Sequence, residues 1–300
     1  MNTLHWRVAL PTGYQQGDVM AFHGRDAEGV AEQVAPDRLR KGILHDGVAV
    51  LLDVTFSASE AACRADIDGP INQGLQDALH EVLKNILGLR IAPEPFAQLV
   101  ARDPLMGPLV RANGSLRIVQ SATPFEALTW AIIGQQINLP FAIALRRTFI
   151  LQAGRRHGSG LWCYPEARDV ARLAPEELTG HKFSRAKADT LLRLAALVDE
   201  GALSLQLPAS GEVAAVSQAL LNVKGIGPWT VNYALLRGYG YADCSLHGDV
   251  AIRAALQKLL KEDSKPDMAR TEQWLRQYAP HRTMAAAHLW ASLHTAQIDT

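Results

Sequence analysis

Two helical patterns separated by a glycine-containing hairpin constrain the fold of this chain more than any other feature. Before the hairpin, apolar residues recur at the i, i+3, i+4 and i+7 spacing of a helix with one buried face: Val216, Ala219, Leu220 and Val223. After the segment KGIG, Pro228 suits the first turn of a second helix, whose pattern WTVNYALLR stops at Gly238. The chain is therefore expected to build a helix, a tight hairpin and a second helix.

The hairpin glycines favour contact with another molecule. Gly225 and Gly227 permit positive φ angles, and neither has a side chain that would keep a ligand away from the main chain. Backbone amides beside a helix N-terminus suit a phosphate group, to which Lys224 would add a positive charge. Ile226 would anchor the loop in the core. A tight turn between packed helices explains the same glycines, so the hairpin alone leaves both interpretations open.

A single acid stands at the head of the next helical pattern. Apolar spacing indicates a helix through Ile252 and Leu256, so Asp249 occupies its N-cap, and capping alone is a sufficient reason for an aspartate there. Amides at the helix end and the helix dipole favour a negative charge at this position. Cleavage of an O-glycoside normally uses two carboxylates, whereas a leaving group that is already cationic makes the acid dispensable. One carboxylate is then sufficient to excise an N-alkylated purine.

The rest of the chain divides into a mixed N-terminal part and a helical body. Residues 1–93 contain a strand pattern, GVAVLLDVTF, and a helical pattern, LQDALHEVLKNILGL, which predict a small α+β domain with an antiparallel sheet. From Thr123 onward the signals are helical, beginning with a capping box in which Thr123 is the N-cap and Glu126 its partner. A polar corner, QQIN, precedes a second helix with Asn138 as its N-cap. The predicted fold class is mainly α, with the small N-terminal domain followed by a two-lobed helical bundle.

Composition excludes several other classes of protein. The 30 basic and 30 acidic residues give a formal charge of zero, so any contact with nucleic acid must be local. The three cysteines are far apart without a CxxC pair, so no disulfide framework, zinc site or iron–sulfur cluster is expected. No signal peptide or membrane-spanning run is recognisable in the sequence. We expect a cytoplasmic protein without membrane contact.

Several motifs together resemble the helix-hairpin-helix DNA glycosylases, and within them the bacterial DNA-3-methyladenine glycosylase II type. They are TLHW near the start, AIIGQQIN at the corner, the hairpin with WTVNYALLRG, Asp249, and PHRTMAAAHLW near the end. The likeness covers almost the whole chain. It implies an N-terminal α+β domain over residues 1–93, a helical domain carrying the catalytic acid over 94–122 and 243–300, and a helical domain carrying the hairpin over 123–242.

The resemblance also implies roles for individual residues, with Asp249 as the catalytic aspartate. DNA contacts would come from the corner and the hairpin: Gln135, Gln136, Lys224, Gly225, Ile226, Gly227 and Thr230. The pocket for a flipped base would include Trp229, Tyr233 and His281, although core packing also explains the two aromatic residues, and a surface or capping position the histidine. Main-chain carbonyls would hold a structural Na⁺ or K⁺: Leu221, Val223 and Ile226.

Three positions bear on specificity and reaction type. Gln136 stands where the type carries a leucine wedge, and His281 stands where it carries a pocket tryptophan. Trp229 stands where relatives that also cut the DNA backbone carry a Schiff-base lysine, and an indole cannot form an imine. The resemblance therefore implies base excision without lyase activity.

The predicted function is that of a monomeric glycosylase in bacterial base excision repair. It would flip alkylated purines of the 3-methyladenine class out of duplex DNA and leave an abasic site, without a catalytic cofactor. Two alternatives are a glycosylase for other damaged or mismatched bases and a non-catalytic hairpin module that only binds DNA. Seven basic residues would form a patch along the DNA backbone, although a solvated helix face explains any one of them better: Arg146, Arg147, Arg155, Arg156, Lys182, Arg185 and Lys187.

Overall fold

The computed structural model describes residues 2–207 and 212–295. Within them an antiparallel sheet near the N-terminus leads into a body of helices, which confirms the predicted fold class. The N-terminal elements follow in the order β1 (Asn2–Ala9), α1 (Gly17–His23), β2 (Glu32–Ala35), β3 (Arg38–His45), β4 (Val48–Phe56), β5 (Glu60–Ile67) and α2 (Leu75–Ile86). The predicted strand and helix of this part correspond to β4 and α2.

The sheet is antiparallel throughout, with the strand order β1-β5-β4-β3-β2. Successive side chains of a strand point to opposite faces, and one face is buried along the three central strands: Leu39, Leu52, Val54, Ala65 and Ile67. Helix α2 belongs to the same core through Leu79 and Leu83. The apolar residues that alternate along the strands and those that repeat at helical spacing in α2 therefore pack in one common core.

The helical body follows, with a short β-hairpin between its fourth and fifth helices. Its elements are α3 (Glu94–Leu99), α4 (Met106–Ala112), α5 (Pro124–Gly134), α6 (Leu139–Ala153), β6 (Arg155–Arg156), β7 (Trp162–Cys163), α7 (Ala167–Val170), α8 (Pro175–Thr179), α9 (Arg185–Asp199), α10 (Val213–Leu221), α11 (Pro228–Tyr239), α12 (Val250–Leu260), α13 (Met268–Arg276) and α14 (Arg282–Thr295). One continuous apolar core runs through this body. Its division into two domains stays a prediction. Across the described ranges, no helix combines the length and the apolar character needed to cross a membrane.

Gly238 sets the distance between two helices that carry functional residues. A Cβ at this position would lie 2.9 Å from the Cα of Pro124 and 3.1 Å from the Cβ of Ala127, so any larger residue would push α11 away from α5. The glycine thus holds the helix that follows the hairpin against the helix that precedes the polar corner.

The end predicted for α11 at Gly238 is wrong: the helix continues to Tyr239, and Gly240, with a φ of +63°, is its C-cap.

The N-caps predicted for α5 and α6 are confirmed, with one correction. Thr123 and Asn138 cap α5 and α6, and their side chains accept hydrogen bonds from the amides of Glu126 and Phe141. The capping box at α5 is wrong in its second half. The Glu126 carboxylate accepts from the amide of Ala122 at 2.9 Å instead of the Thr123 amide, because its other oxygen is bound in a buried ion cluster.

That buried ion cluster joins the sheet to the helices and consists of Glu32, Lys41, Glu126 and Arg146. Lys41 Nζ lies 2.6 Å from Glu32 and 2.8 Å from Glu126, and Arg146 Nη2 lies 2.6 Å and 2.9 Å from the same two carboxylates. Burial alone would raise the pKa of both acids, but Arg146 and Lys41 outweigh it and hold the pKa of Glu32 well below its usual range and that of Glu126 below its own. Two cations and two anions therefore balance inside the protein.

Candidate active site

The hairpin between α10 and α11 packs against the helical core on one side and is exposed on the other. Ile226 is only 5% exposed and packs in the helical core, as predicted, while Lys224 and Gly225 are exposed. Gly225 has a φ of +98°, and a Cβ there would lie 2.8 Å from Cγ2 of Thr190, so only glycine fits. Gly227 has an ordinary negative φ, and a Cβ there would meet no atom within 4 Å. The surface next to Gly227 is thus free for another molecule.

The polar corner between α5 and α6 is bound to the hairpin. Gln135 Nε2 donates to the carbonyl of Gly225 at 3.2 Å and to the Thr230 hydroxyl at 3.0 Å, and Thr230 is buried. Lys187 Nζ donates to the carbonyls of Ile133 and Gln135 at 2.5 Å and 2.6 Å, which holds the end of α5. Gln136 is exposed at the tip with a φ of +57°, a conformation that a residue other than glycine adopts only when its surroundings require it.

Asp249 caps α12 as predicted, and its carboxylate receives four N–H groups. Oδ1 accepts from the amides of Ala251 and Ile252 at 2.9 Å and 3.1 Å, and from the indole of Trp290 at 3.2 Å. Oδ2 accepts from the indole of Trp229 at 3.0 Å. Among the described residues, no Lys, Arg or His nitrogen lies within 4.0 Å of this carboxylate. The charge is held in place by neutral donors and is not neutralised by a cation.

The two indoles that hold Asp249 also form part of an aromatic wall. The rings of Trp229 and Tyr233 lie 5.5 Å apart with an interplanar angle of 35°. Trp290 reaches the site from α14, and the sequence did not identify it as a site residue. The motif PHRTMAAAHLW contributes to the family resemblance, but it does not show that Trp290 contacts Asp249. That contact depends on how α14 packs against α12.

These elements enclose a cleft of about 910 Å³. It brings together Asp249 and most of the predicted contact residues: Gln135, Gln136, Gly225, Gly227, Trp229, Thr230 and Tyr233. His281 is not among the lining residues. Its backbone begins α14, where its carbonyl accepts from the amides of Met284 and Ala285 at 3.0 Å and 3.3 Å. The cleft is also lined by two arginines that the sequence did not indicate, Arg25 and Arg237.

The predicted basic patch is wrong for three of its residues. Arg146 belongs to the buried ion cluster, and Arg147 Nη2 lies 2.6 Å from Asp26, so both serve contacts inside the protein. Lys187 holds the end of α5 and is likewise committed to internal carbonyls. Basic residues in a sequence indicate positive charge but not whether their side chains are buried or paired. The sequence therefore predicts that the three residues contact DNA, although they make contacts inside the protein.

The hairpin carbonyls predicted to hold a monovalent cation include two that are free of other partners. Within the described residues, the carbonyls of Leu221 and Ile226 accept no hydrogen bond, whereas that of Val223 accepts from the Ile226 amide at 3.0 Å and keeps its second lone pair. Carbonyl oxygens are the hard, neutral ligands that alkali and alkaline-earth cations prefer. The donor set therefore fits such an ion.

Comparisons with known proteins find relatives that cover most of the chain. No protein-family model matches the chain. The DNA-3-methyladenine glycosylase of Bacillus subtilis (strain 168) is 27% identical over 228 residues, which cover 75% of this chain and 75% of that protein. DNA-3-methyladenine glycosylase 2 of Escherichia coli (strain K12) is 25% identical over 295 residues, which cover 97% of this chain and 96% of that protein.

A solved structure has the same fold over nearly the whole chain. The 3-methyladenine DNA-glycosylase from Archaeoglobus fulgidus superposes with a TM-score of 0.79 at 21% sequence identity, covering 95% of this chain and 97% of that chain. This chain therefore shares its fold with that structure over nearly its whole length.

Proposed function

We propose that this chain, a member of the helix-hairpin-helix DNA glycosylase superfamily of the DNA-3-methyladenine glycosylase II type, is a monofunctional enzyme that excises alkylated purines from duplex DNA. The observation that carries the proposal is Asp249. Its carboxylate lines an aromatic cleft next to the hairpin, is fixed by four N–H donors, and lacks a cationic partner among the described residues. A negative charge that is held rigidly in a cleft without a salt-bridge partner suits a reaction whose transition state is positive.

The reaction breaks the bond between C1′ of the sugar and the purine nitrogen. The bonding electrons leave with the base, and the sugar becomes a cation that Asp249 stabilises. A water molecule then adds to C1′ and loses a proton, so the products are a free base and an abasic sugar. When the purine is alkylated and already cationic, it leaves as a neutral molecule, and a second carboxyl acting as acid is not required.

The DNA-binding roles follow from which groups are exposed around the cleft. The amides at the start of α11 and around Gly227 would hold a backbone phosphate, with Lys224 adding its charge. Gln136, exposed at the corner, would fill the space that the flipped base leaves in the duplex. Gln135 and Thr230 would act indirectly, because their side chains bind each other and fix the corner to the hairpin. Leu221, Val223 and Ile226 would hold a structural Na⁺ or K⁺ below that phosphate.

The flipped base would stack in the aromatic part of the cleft. Trp229 and Tyr233 present their rings there, and an electron-poor alkylated purine is attracted to electron-rich π faces. Trp229 would thus serve twice, since its ring contacts the base while its nitrogen orients Asp249. His281 lies outside the lining and is not part of this proposed pocket.

The gel assay of an alkylated duplex tests both the excision and the absence of lyase activity. We expect no strand break after incubation with the protein until alkali is added, and alkali should then cut at the lesion. Borohydride should trap no covalent adduct, because the position next to Asp249 carries an indole instead of an amine. Strands cut without alkali, together with a trapped adduct, would show that another lysine acts as a nucleophile. Strands that stay intact even after alkali would contradict base excision itself.

Substitution of Gly227 tests the hairpin as the phosphate site. Gly227→Asp places a negative charge in open space beside the start of α11, so affinity for damaged and undamaged duplexes should fall together, by about tenfold or more. Gly227→Ala is the matched control: its Cβ meets no protein atom within 4 Å, so it adds bulk without charge, and its loss of affinity should be clearly smaller than that of Gly227→Asp. Gly225 is unsuitable for this test, since any side chain there collides with Thr190. Loss of affinity for the lesion duplex alone would assign the hairpin to the base pocket.

A further inference from the structure

Two arginines line the cleft without an acidic partner. Among the residues that the structure describes, neither Arg25 nor Arg237 has a carboxylate oxygen within 4.0 Å, whereas Arg146 and Arg147 close by are both paired. Arg25 Nε donates to the carbonyl of Phe22 at 2.7 Å, and Arg237 Nη1 donates to that of Val119 at 2.5 Å. Arg237 Nε is buried and has no hydrogen-bond partner. Each guanidinium therefore keeps unused donors.

Aromatic rings hold both guanidiniums in place. Arg25 Cζ lies 4.0 Å from the ring centroid of Phe22 and 4.7 Å from that of Trp130. Arg237 Cζ lies 4.9 Å from the same Phe22 ring and 6.0 Å from Trp290. Burial lowers the pKa of both arginines, and the neighbouring Tyr233 opposes that effect, but a guanidinium stays charged at any physiological pH. Two desolvated positive charges thus lie at the cleft.

The position of Arg237 along α11 places it away from the reacting bond, and Arg25 contacts the same Phe22 ring as Arg237. Trp229, Tyr233 and Arg237 follow at intervals of four residues on one face of α11, so Arg237 is roughly 12 Å along the helix axis from the residue that holds Asp249. A purine whose glycosidic nitrogen is near Asp249 would point its opposite edge, with positions 1 and 6, towards the arginines. The groups that this edge meets are hydrogen-bond donors with positive charge.

We infer that Arg25 and Arg237 determine specificity by receiving the acceptor edge of a neutral purine and by stabilising the negative charge that such a base carries as it leaves. This inference rests on the proposed function. When the C1′–N bond of a neutral purine breaks, the electron pair makes the base an anion, which takes a proton from solvent after release. Donors fixed where that charge develops lower the barrier. A cationic purine leaves neutral and gains nothing from them.

The hydrogen-bonding groups on the edge of the purine favour a neutral base over a cationic one, as the charge of the arginines does. A neutral oxopurine such as hypoxanthine carries a carbonyl at position 6, which accepts from a guanidinium. 3-Methyladenine carries an amino group there, which opposes a donor, and its positive charge is repelled by both arginines. The weak glycosidic bond of a cationic base makes its excision possible despite this repulsion. The arginines would thus extend the enzyme to neutral bases, whose bonds are harder to break.

The test compares two lesions with the same protein preparation. Single-turnover rates of base release are measured on matched duplexes containing hypoxanthine or 3-methyladenine, for the wild type, Arg25→Gln and Arg237→Gln. The readout is the ratio of the two rates, because partial misfolding of a variant lowers both rates equally and cancels. We expect either substitution to lower the hypoxanthine rate by about 100-fold while the 3-methyladenine rate stays within about threefold of the wild type or rises. Arg25→Lys and Arg237→Lys keep the charge. They should lower the ratio of the hypoxanthine rate to the 3-methyladenine rate less than the Gln variants do.

The outcomes separate this inference from the proposed function. A wild type that releases 3-methyladenine, with a ratio that neither Gln variant changes, overturns the role of the arginines and leaves the proposed function intact. The same holds if the wild type releases 3-methyladenine but no hypoxanthine. A wild type that releases neither base overturns both. A ratio that falls in the Gln variants and is partly kept in the Lys variants supports the inference.

Discussion

Replacing Asp249 by Asn is expected to reduce base release by about 10²-fold or more, because it removes the charge that stabilises the sugar cation. The asparagine oxygen can still accept the amides of Ala251 and Ile252 and keep the cap of α12. Its amide nitrogen would face the N–H of Trp229 or Trp290, so one indole loses its acceptor. Affinity for lesion DNA should stay within a few-fold of the wild type. Single-turnover release and a binding titration measure the two effects separately.

A second aspartate in the chain provides a matched control for this substitution. Asp267 caps α13, with its carboxylate accepting from the amide of Arg270 at 2.8 Å, but it does not line the cleft. Asp267→Asn makes the same chemical change at the same kind of helix end, so base release should be unaffected. If Asp249→Asn kept the wild-type rate, Asp249 would be a cap and no more.

Removing Lys41 from the buried ion cluster should have the largest effect on stability. Lys41→Met keeps the bulk of the side chain but leaves Glu32 and Glu126 with Arg146 alone. Breaking a buried ion pair on one side typically costs about 3–5 kcal/mol, which in a protein of this size lowers Tm by roughly 5–8 °C. Thermal melts at neutral pH, followed by circular dichroism, would measure the change.

An exposed lysine serves as the control for Lys41. Lys84 pairs with Glu81 at 2.7 Å on the surface of α2, so Lys84→Met should change stability by less than about 1 kcal/mol. The pH dependence has a defined sign. Because the pKa values of Glu32 and Glu126 are lowered on folding, the wild type has the stabilisation of the cluster above the ordinary glutamate range and loses it as pH falls below that range. Equal melting of Lys41→Met and Lys84→Met would contradict the structural role of the cluster.

The local features of the fold and the site could be predicted from the sequence because their causes are local. Helix caps at Thr123, Asn138 and Asp249 depend on one side chain and the amides two or three residues later. The tight hairpin depends on Gly225, whose φ of +98° few other residues adopt. Ile226, the apolar residue between two glycines, is buried for the reason that the pattern suggests.

Features that depend on distant packing could not be predicted in this way. Arg25 reaches the cleft from the N-terminal part, and nothing near it in the sequence distinguishes it from a surface arginine. Trp290 meets Asp249 only because α14 lies against α12. The sequence gives the charge of Arg146 but not its two carboxylate partners, which are 114 and 20 residues away along the chain.

Chromatography of the free bases released from methylated duplex DNA tests the central claim most directly. The wild-type protein should release 3-methyladenine into solution, with abasic sites appearing in equal number in strands that remain intact. Undamaged duplex should release no base. The account would be contradicted by a protein that binds the methylated duplex yet releases no base above the rate of spontaneous loss, since the hairpin would then belong to a DNA-binding module without catalysis.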